Sequence, residues 1–140
     1  MEQQVRNAMT PDPIMLPTTA TLVEASRVMR DNSIGDVLVL ADDRLCGVVT
    51  DRDIVTRALA DGRDPTTTVL GDICTAEMVT VRPDESVDQA VHLMRSHAVR
   101  RLPVVDETGR PIGVVTLGDL AVEYDSKSAL AEISAAPPNA

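Results

Sequence analysis

The sequence predicts an α/β (α+β) fold built from two copies of one β-α-β-β-α unit, related by pseudo-two-fold symmetry. Three observations carry this prediction: an internal repeat, helix-start signals at matching places in both copies, and apolar runs of strand length that turn back through polar loops. Thr21-Leu22-Val23-Glu24-Ala25-Ser26-Arg27-Val28-Met29-Arg30 falls on Ser86-Val87-Asp88-Gln89-Ala90-Val91-His92-Leu93-Met94-Arg95 when the chain is shifted by 65, with three of the ten positions identical. After one inserted residue in the second copy, Gly47-Val48-Val49-Thr50-x-x-Asp53 recurs as Gly113-Val114-Val115-Thr116-x-x-Asp119. Agreement of this length across a single one-residue gap is duplication. The first copy spans residues 5–60 and the second 70–125, with 61–69 as linker and 126–140 as a frayed helix end and disordered tail.

Each element follows from its residues. Ile14 to Leu16 and Val79 to Val81 read as short strands, followed by Pro17 and Pro83, which interrupt pairing. Thr21 with Glu24 and Ser86 with Gln89 have capping-box spacing and open two helices. Leu22, Ala25, Val28 and Met29 fall on one face of the first helix, and Val87, Ala90, Leu93 and Met94 on the same face of its counterpart. Val37 to Leu40 and Leu102 to Val105 are apolar runs that reach a polar turn and return through Cys46 to Val49 and Ile112 to Val115, giving one hairpin per copy. Second helices begin at Thr50 and Thr116. A unit of this size buries too little surface to stand alone, so the two copies are expected to pack together, with ligand space in the groove between them.

Composition excludes several function classes. The 140 residues include one aromatic side chain, Tyr124, so bases have no stacking platform here. Net charge is −9, with 22 acidic against 13 basic residues, which repels a phosphate backbone, and nucleic acid is not an expected partner. No apolar run approaches the roughly 20 residues of a membrane span, and the start Met1-Glu2-Gln3-Gln4 has no signal-peptide character. A cytoplasmic protein with no membrane partner is expected. Cys46 and Cys74 are too few for a disulfide framework and form no CxxC, which fits a reducing compartment. His92 and His97 make no zinc spacing with them, so no metal site is expected. No nucleophile sits in a triad-like motif, and the chain is read as not an enzyme.

The strand motif Arg101-Leu102-Pro103-Val104-Val105-Asp106, the closing Gly113-Val114-Val115-Thr116-x-x-Asp119-Leu120 and their order within a duplicated unit resemble a CBS domain. CBS domains are the regulatory modules named after cystathionine β-synthase, and two in tandem resemble a CBS pair of the stand-alone bacterial type. The resemblance covers about residues 5–125. It implies a homodimer that binds adenosine-containing ligands (AMP, ADP, ATP or S-adenosylmethionine) in inter-repeat clefts and modulates an unknown regulated protein, with no cofactor beyond the nucleotide itself.

Candidate site residues combine chemistry with that resemblance. Thr116 and Asp119, and their counterparts Thr50 and Asp53, have the spacing of a capping box, which explains them through stability alone. A helix N-terminus also attracts phosphate. By resemblance, Asp119 and Asp53 hold ribose, and Thr116 and Thr50 stand near the phosphate or ribose. Arg100 and Arg101 precede the central strand where nucleotide-binding CBS domains carry basic residues, and their guanidinium forks suit phosphate oxygens. The first copy has Gly35 and Asp36 there, so the clefts are expected to differ. Arg52 is a further phosphate candidate. Met78, Val79, Thr80 and Val104 in the second copy, and Ile14, Met15 and Val39 in the first, are the implied base slot, though each also reads as plain core. The competing function is a ligand-free structural or interaction dimer.

Overall fold

The computed structural model describes residues 3–75 and 78–124; the expected tail, 126–140, lies outside them. The chain divides into two compact units at Pro13/Ile14 and Met78/Val79. Each is described on its own.

In the unit that begins at Ile14, β2 (Met15–Pro17) pairs in parallel with β3 (Asp36–Ala41), which pairs antiparallel with β4 (Arg44–Thr50). Asp42 and Asp43 both take left-handed φ in the turn between β3 and β4, as a tight two-residue hairpin requires. Helix α2 (Leu22–Asn32) starts where expected, with Glu24 N–H donating to Thr21 Oγ1 at 3.2 Å, and ends on Ser33 in the left-handed region. Its buried residues Leu22, Ala25 and Met29 join Val37, Val39, Val49, Ile54 and Leu70 in one aliphatic core. After Thr50, where the sequence predicts a second helix to begin, helix α3 (Asp51–Asp53) passes into a π-helical stretch, Ile54–Leu59. The segment read as a linker is hydrogen-bonded into this unit, with Leu22 N–H donating to Thr68 O and Val23 N–H to Pro65 O. A 3-10 turn, Leu70–Asp72, follows.

In the other unit, α1 (Val5–Ala8) and β1 (Thr10–Pro11) stand with β5 (Arg101–Val105), β6 (Pro111–Thr116), α4 (Val87–His97) and α5 (Leu117–Tyr124). The sheet order is β1-β6-β5, all antiparallel. Val5, Val81, Val87, Ala90, Leu102, Val104, Val115 and Leu120 form its core. Helix α4 is capped by Ser86, whose Oγ accepts from Gln89 N–H at 3.0 Å, and it ends on Ala98, a non-glycine residue with φ 54.

The predicted strand from Val79 to Val81 is corrected by the structure to a single parallel bridge, Val81 to Val104. The reason is Pro103. In the first repeat Leu38 N–H donates to Ile14 O at 3.2 Å. Pro103 occupies the position of Leu38 and has no N–H to give to Val79, so the ladder stops after one rung.

The leading segments are exchanged between repeats, each pairing within its own unit. Thr10 pairs with Val114 of the second repeat's hairpin, and Thr75 bridges Val48 of the first, with Val48 N–H to Thr75 O at 3.2 Å and Thr75 N–H to Val48 O at 3.1 Å. The repeated glycines permit this approach: a Cβ on Gly47 would stand 2.6 Å from Thr75 O, and one on Gly113 would stand 2.9 Å from Thr10 O.

Candidate functional site

Two matching constellations lie where β4 and β6 run into helices. In the second repeat, Thr116 N–H donates to Asp119 Oδ2 and Asp119 N–H donates to Thr116 Oγ1, both at 3.0 Å. In the first, Thr50 and Asp53 make the same reciprocal pair at 2.9 Å. These capping boxes fix each carboxylate one turn into its helix. The residue just before each hairpin supplies a further acceptor: Leu117 N–H donates to Arg100 O at 2.7 Å, and Asp51 N–H donates to Gly35 O at 2.9 Å.

The sheet register sets the neighbours. Arg101 lies directly opposite Thr116, and Asp36 directly opposite Thr50. Arg100 is exposed on the approach to β5. The second repeat therefore has arginine beside its threonine, and the first has a carboxylate.

Two further differences were not read from the sequence. Asp51 turns its Oδ1 onto Arg52 N–H at 2.8 Å, so in the first repeat a carboxylate of the chain itself occupies the helix start. Leu117, 41% exposed, takes that place in the second repeat and brings no charge. Asp53 Oδ1 lies 3.7 Å from Arg57 Nε, so both oxygens of that carboxylate are engaged; the residue at the spacing of Arg57 in the second repeat is Glu123. The available signal was the charge of the first helical residue, Asp51 against Leu117.

The remaining candidates divide between the units. Val79, Thr80 and Val104 share a unit with Thr116, Asp119, Arg100 and Arg101, whereas Met78 ends the other unit, with Ile14, Met15, Val39, Thr50, Arg52 and Asp53. Val39 and Val104 are wholly buried core residues, so packing is their observed role. Ile14, Met15, Met78 and Val79 are half-buried, and Thr80 and Arg52 are exposed. Among the described residues no group of three His, Cys, Asp or Glu side chains has metal-holding geometry, and no helix is long and apolar enough to cross a membrane.

Comparison with known proteins identifies the family and the fold. The family profile described as CBS domain matches residues 5–60 and again 70–125. The chain belongs to the CBS domain family. As a tandem CBS protein it is 38% identical over 134 residues to the CBS domain-containing protein YhcV of Bacillus subtilis (strain 168), covering 93% of this chain and 94% of that one. Among solved structures it is similar to Hypoxic Response Protein I, described with two coordinated zinc ions, at TM-score 0.78 and 35% identity over 86% of this chain and 98% of that one. It is also similar to the CBS domain pair of MJ0100 in complex with 5-methylthioadenosine and S-adenosyl-L-methionine, with TM-score 0.77, 25% identity and coverage of 91% and 100%. The structure of CBSX2 in complex with AMP matches at TM-score 0.72 and 25% identity, over 86% and 94% of the two chains. The expected fold, a tandem CBS pair, is thereby established.

Proposed function

We propose that this CBS pair is a non-catalytic regulatory module of the cytoplasm that binds an adenosine-containing ligand and passes its occupancy to a partner protein. The ligand site assigned is the start of α5, with Thr116 and Asp119 toward ribose and Arg101, supported by Arg100, toward phosphate. One observation carries this choice: the register that puts Arg101 opposite Thr116 puts Asp36 opposite Thr50. Asp51 on Arg52 N–H and Arg57 beside Asp53 close the corresponding place in the first repeat from within the chain. In the second, Asp119 Oδ2 is held by Thr116 N–H, which leaves Oδ1 for a ribose hydroxyl. The complexes of MJ0100 and CBSX2 supply the ligand class.

A homodimer fits the same reading. Val55 and Leu59, one turn apart, are 55% and 49% exposed, an apolar face that a second copy would cover.

Titration calorimetry with AMP, ATP, adenosine and S-adenosylmethionine tests the site. Arg101→Ala removes a charge-assisted contact worth about 1.5–3 kcal/mol, a tenfold or greater loss of AMP and ATP affinity. Adenosine, which has no phosphate, is indifferent to that change, and Asp36→Ala leaves AMP binding unchanged or improved. Arg100→Ala and Arg101→Ala variants of intact affinity, together with an Asp36→Ala variant that no longer binds, would overturn the assignment. Absence of binding by all four compounds would favour a ligand-free interaction dimer.

A further inference from the structure

The two cysteines, far apart in sequence, are neighbours in the fold. The β3–β4 ladder pairs Val39 with Gly47 and Leu40 with Leu45, which leaves Cys46 as the extra residue of a β-bulge. Cys74 directly precedes Thr75, which is fastened to Val48 by the two backbone bonds described above, and its own N–H donates to Leu70 O at 2.9 Å. Its sulfur lies over the glycine beside Cys46, 3.1 Å from where a Gly47 Cβ would stand. The two thiols are close enough for each to act on the other's ionisation. Both side chains are half-buried, open to a small molecule.

The other unit provides an internal comparison. Its ladder skips Ile112 between Val104–Gly113 and Val105–Pro111, so Ile112 holds the bulge position of Cys46. Met9, the counterpart of Cys74, has its sulfur 2.5 Å from a Cβ built on Gly113. Both packings satisfy the same backbone, so the frame does not itself require a thiol pair.

We propose that Cys46 and Cys74 form a dithiol modification site that a peroxide converts reversibly into an intrachain disulfide, locking β4 to the segment that follows the 3-10 turn. One thiolate attacks the peroxide; an S–O bond forms as the O–O bond breaks, the departing hydroxide takes up a proton, and the product is a sulfenic acid. The second sulfur then displaces the sulfenyl oxygen, which leaves as water while the S–S bond forms. The peroxide gains two electrons and each sulfur gives up one. Burial, followed by the neighbouring Cys46 thiol, holds the Cys74 thiol above its ordinary 9.0, against an opposing pull from Arg57. Because the thiolate is the reacting form, closure at neutral pH is slow and accelerates as pH rises.

The test treats the reduced full-length protein with hydrogen peroxide, then denatures it, alkylates it with iodoacetamide and measures mass. The expected product has lost two hydrogens, takes no alkyl group, yields one peptide joining Cys46 to Cys74, runs as a single chain without reductant and returns to the starting mass with dithiothreitol. Cys46→Ser and Cys74→Ser each abolish the link and leave a sulfenic acid that dimedone traps on the remaining cysteine. The proposal is overturned if the two thiols oxidise independently with one still open to alkylation, if the only disulfide joins two chains, or if both thiols survive peroxide.

Discussion

The repeated Gly-Val-Val-Thr motif begins with glycine because another strand passes over it, and Gly47→Ala tests that directly. The added methyl would stand 2.6 Å from Thr75 O and 3.1 Å from its carbonyl carbon, both backbone atoms that no rotamer change can move aside. The segment would have to lift from β4, giving up the two bonds between Val48 and Thr75. Two hydrogen bonds at roughly 1 kcal/mol each, plus about 1 kcal/mol of overpacking, predict a loss of about 2–4 kcal/mol. For a chain of this size that lowers the thermal midpoint by about 5–12 °C. Gly113→Ala should cost less, about 1–3 kcal/mol, because the nearest atom is the flexible Met9 sulfur, although Thr10 O still lies at 2.9 Å. Gly35→Ala is the control, since its methyl meets only the Asp51 carboxylate at 3.4 Å, an ordinary contact. Thermal and urea unfolding followed by circular dichroism would rank the three. A Gly47→Ala protein that melts with its parent, or below which Gly35→Ala melts, would refute the close-approach account.

Ala98→Gly should raise stability by about 1 kcal/mol in urea unfolding, because Ala98 closes α4 with φ 54, where a Cβ is strained. Asp106 is held below its ordinary 3.8, first by the Thr108 hydroxyl at 2.6 Å and then by Arg110 N–H at 3.1 Å. Its contribution is therefore complete above the unfolded-state value and is lost as pH falls through the lower folded one, so Asp106→Asn should flatten the stability profile in acid, below about pH 4. Sedimentation should give a dimer at micromolar concentration for the parent, and Val55→Asp with Leu59→Asp should shift it to the 15.0 kDa monomer without loss of helical signal.

What the sequence made legible is what local chemistry determines. Thr21 and Ser86 cap their helices, the hairpins turn at their polar residues, and Thr50 and Thr116 pair with acids three residues on. The second repeat's missing strand was also written in the sequence, in Pro103, but its effect depends on which neighbour needs the absent N–H, and that is known only once β5 lies beside Val81. The exchange of leading segments had a fainter signal: Val5 and Leu70, both wholly buried, share the repeat offset, as do Thr10 and Thr75. Nothing local says which hairpin each segment joins, because a two-residue strand such as β1 gains its stability from the partner it meets. The thiol pair was hidden for the same reason, since a bulge and a crossing segment bring its members together.

The two repeats also separate what the frame requires from what a ligand would require. Both keep the glycine under the crossing segment, the reciprocal threonine–aspartate cap and the carbonyl just before the hairpin that receives the first helical N–H, so these features serve folding whether or not a ligand binds. The differences gather within a few residues of the helix starts: Arg101 for Asp36, Leu117 for Asp51 and Glu123 for Arg57. In the first repeat an acid neutralises the helix start and a cation neutralises the acid that follows, leaving a locally balanced site with no demand for an anion. The second repeat replaces both partners and adds a guanidinium beside Thr116, the arrangement that the proposed phosphate site requires of the same backbone. Substituting Leu117→Asp should therefore reproduce the first repeat's closure in the second: its new carboxylate would accept from Gly118 N–H as Asp51 does from Arg52, the fold would be kept, and AMP affinity would fall at least tenfold. A Leu117→Asp protein that binds AMP as tightly as its parent would show that the helix start is not where the phosphate sits.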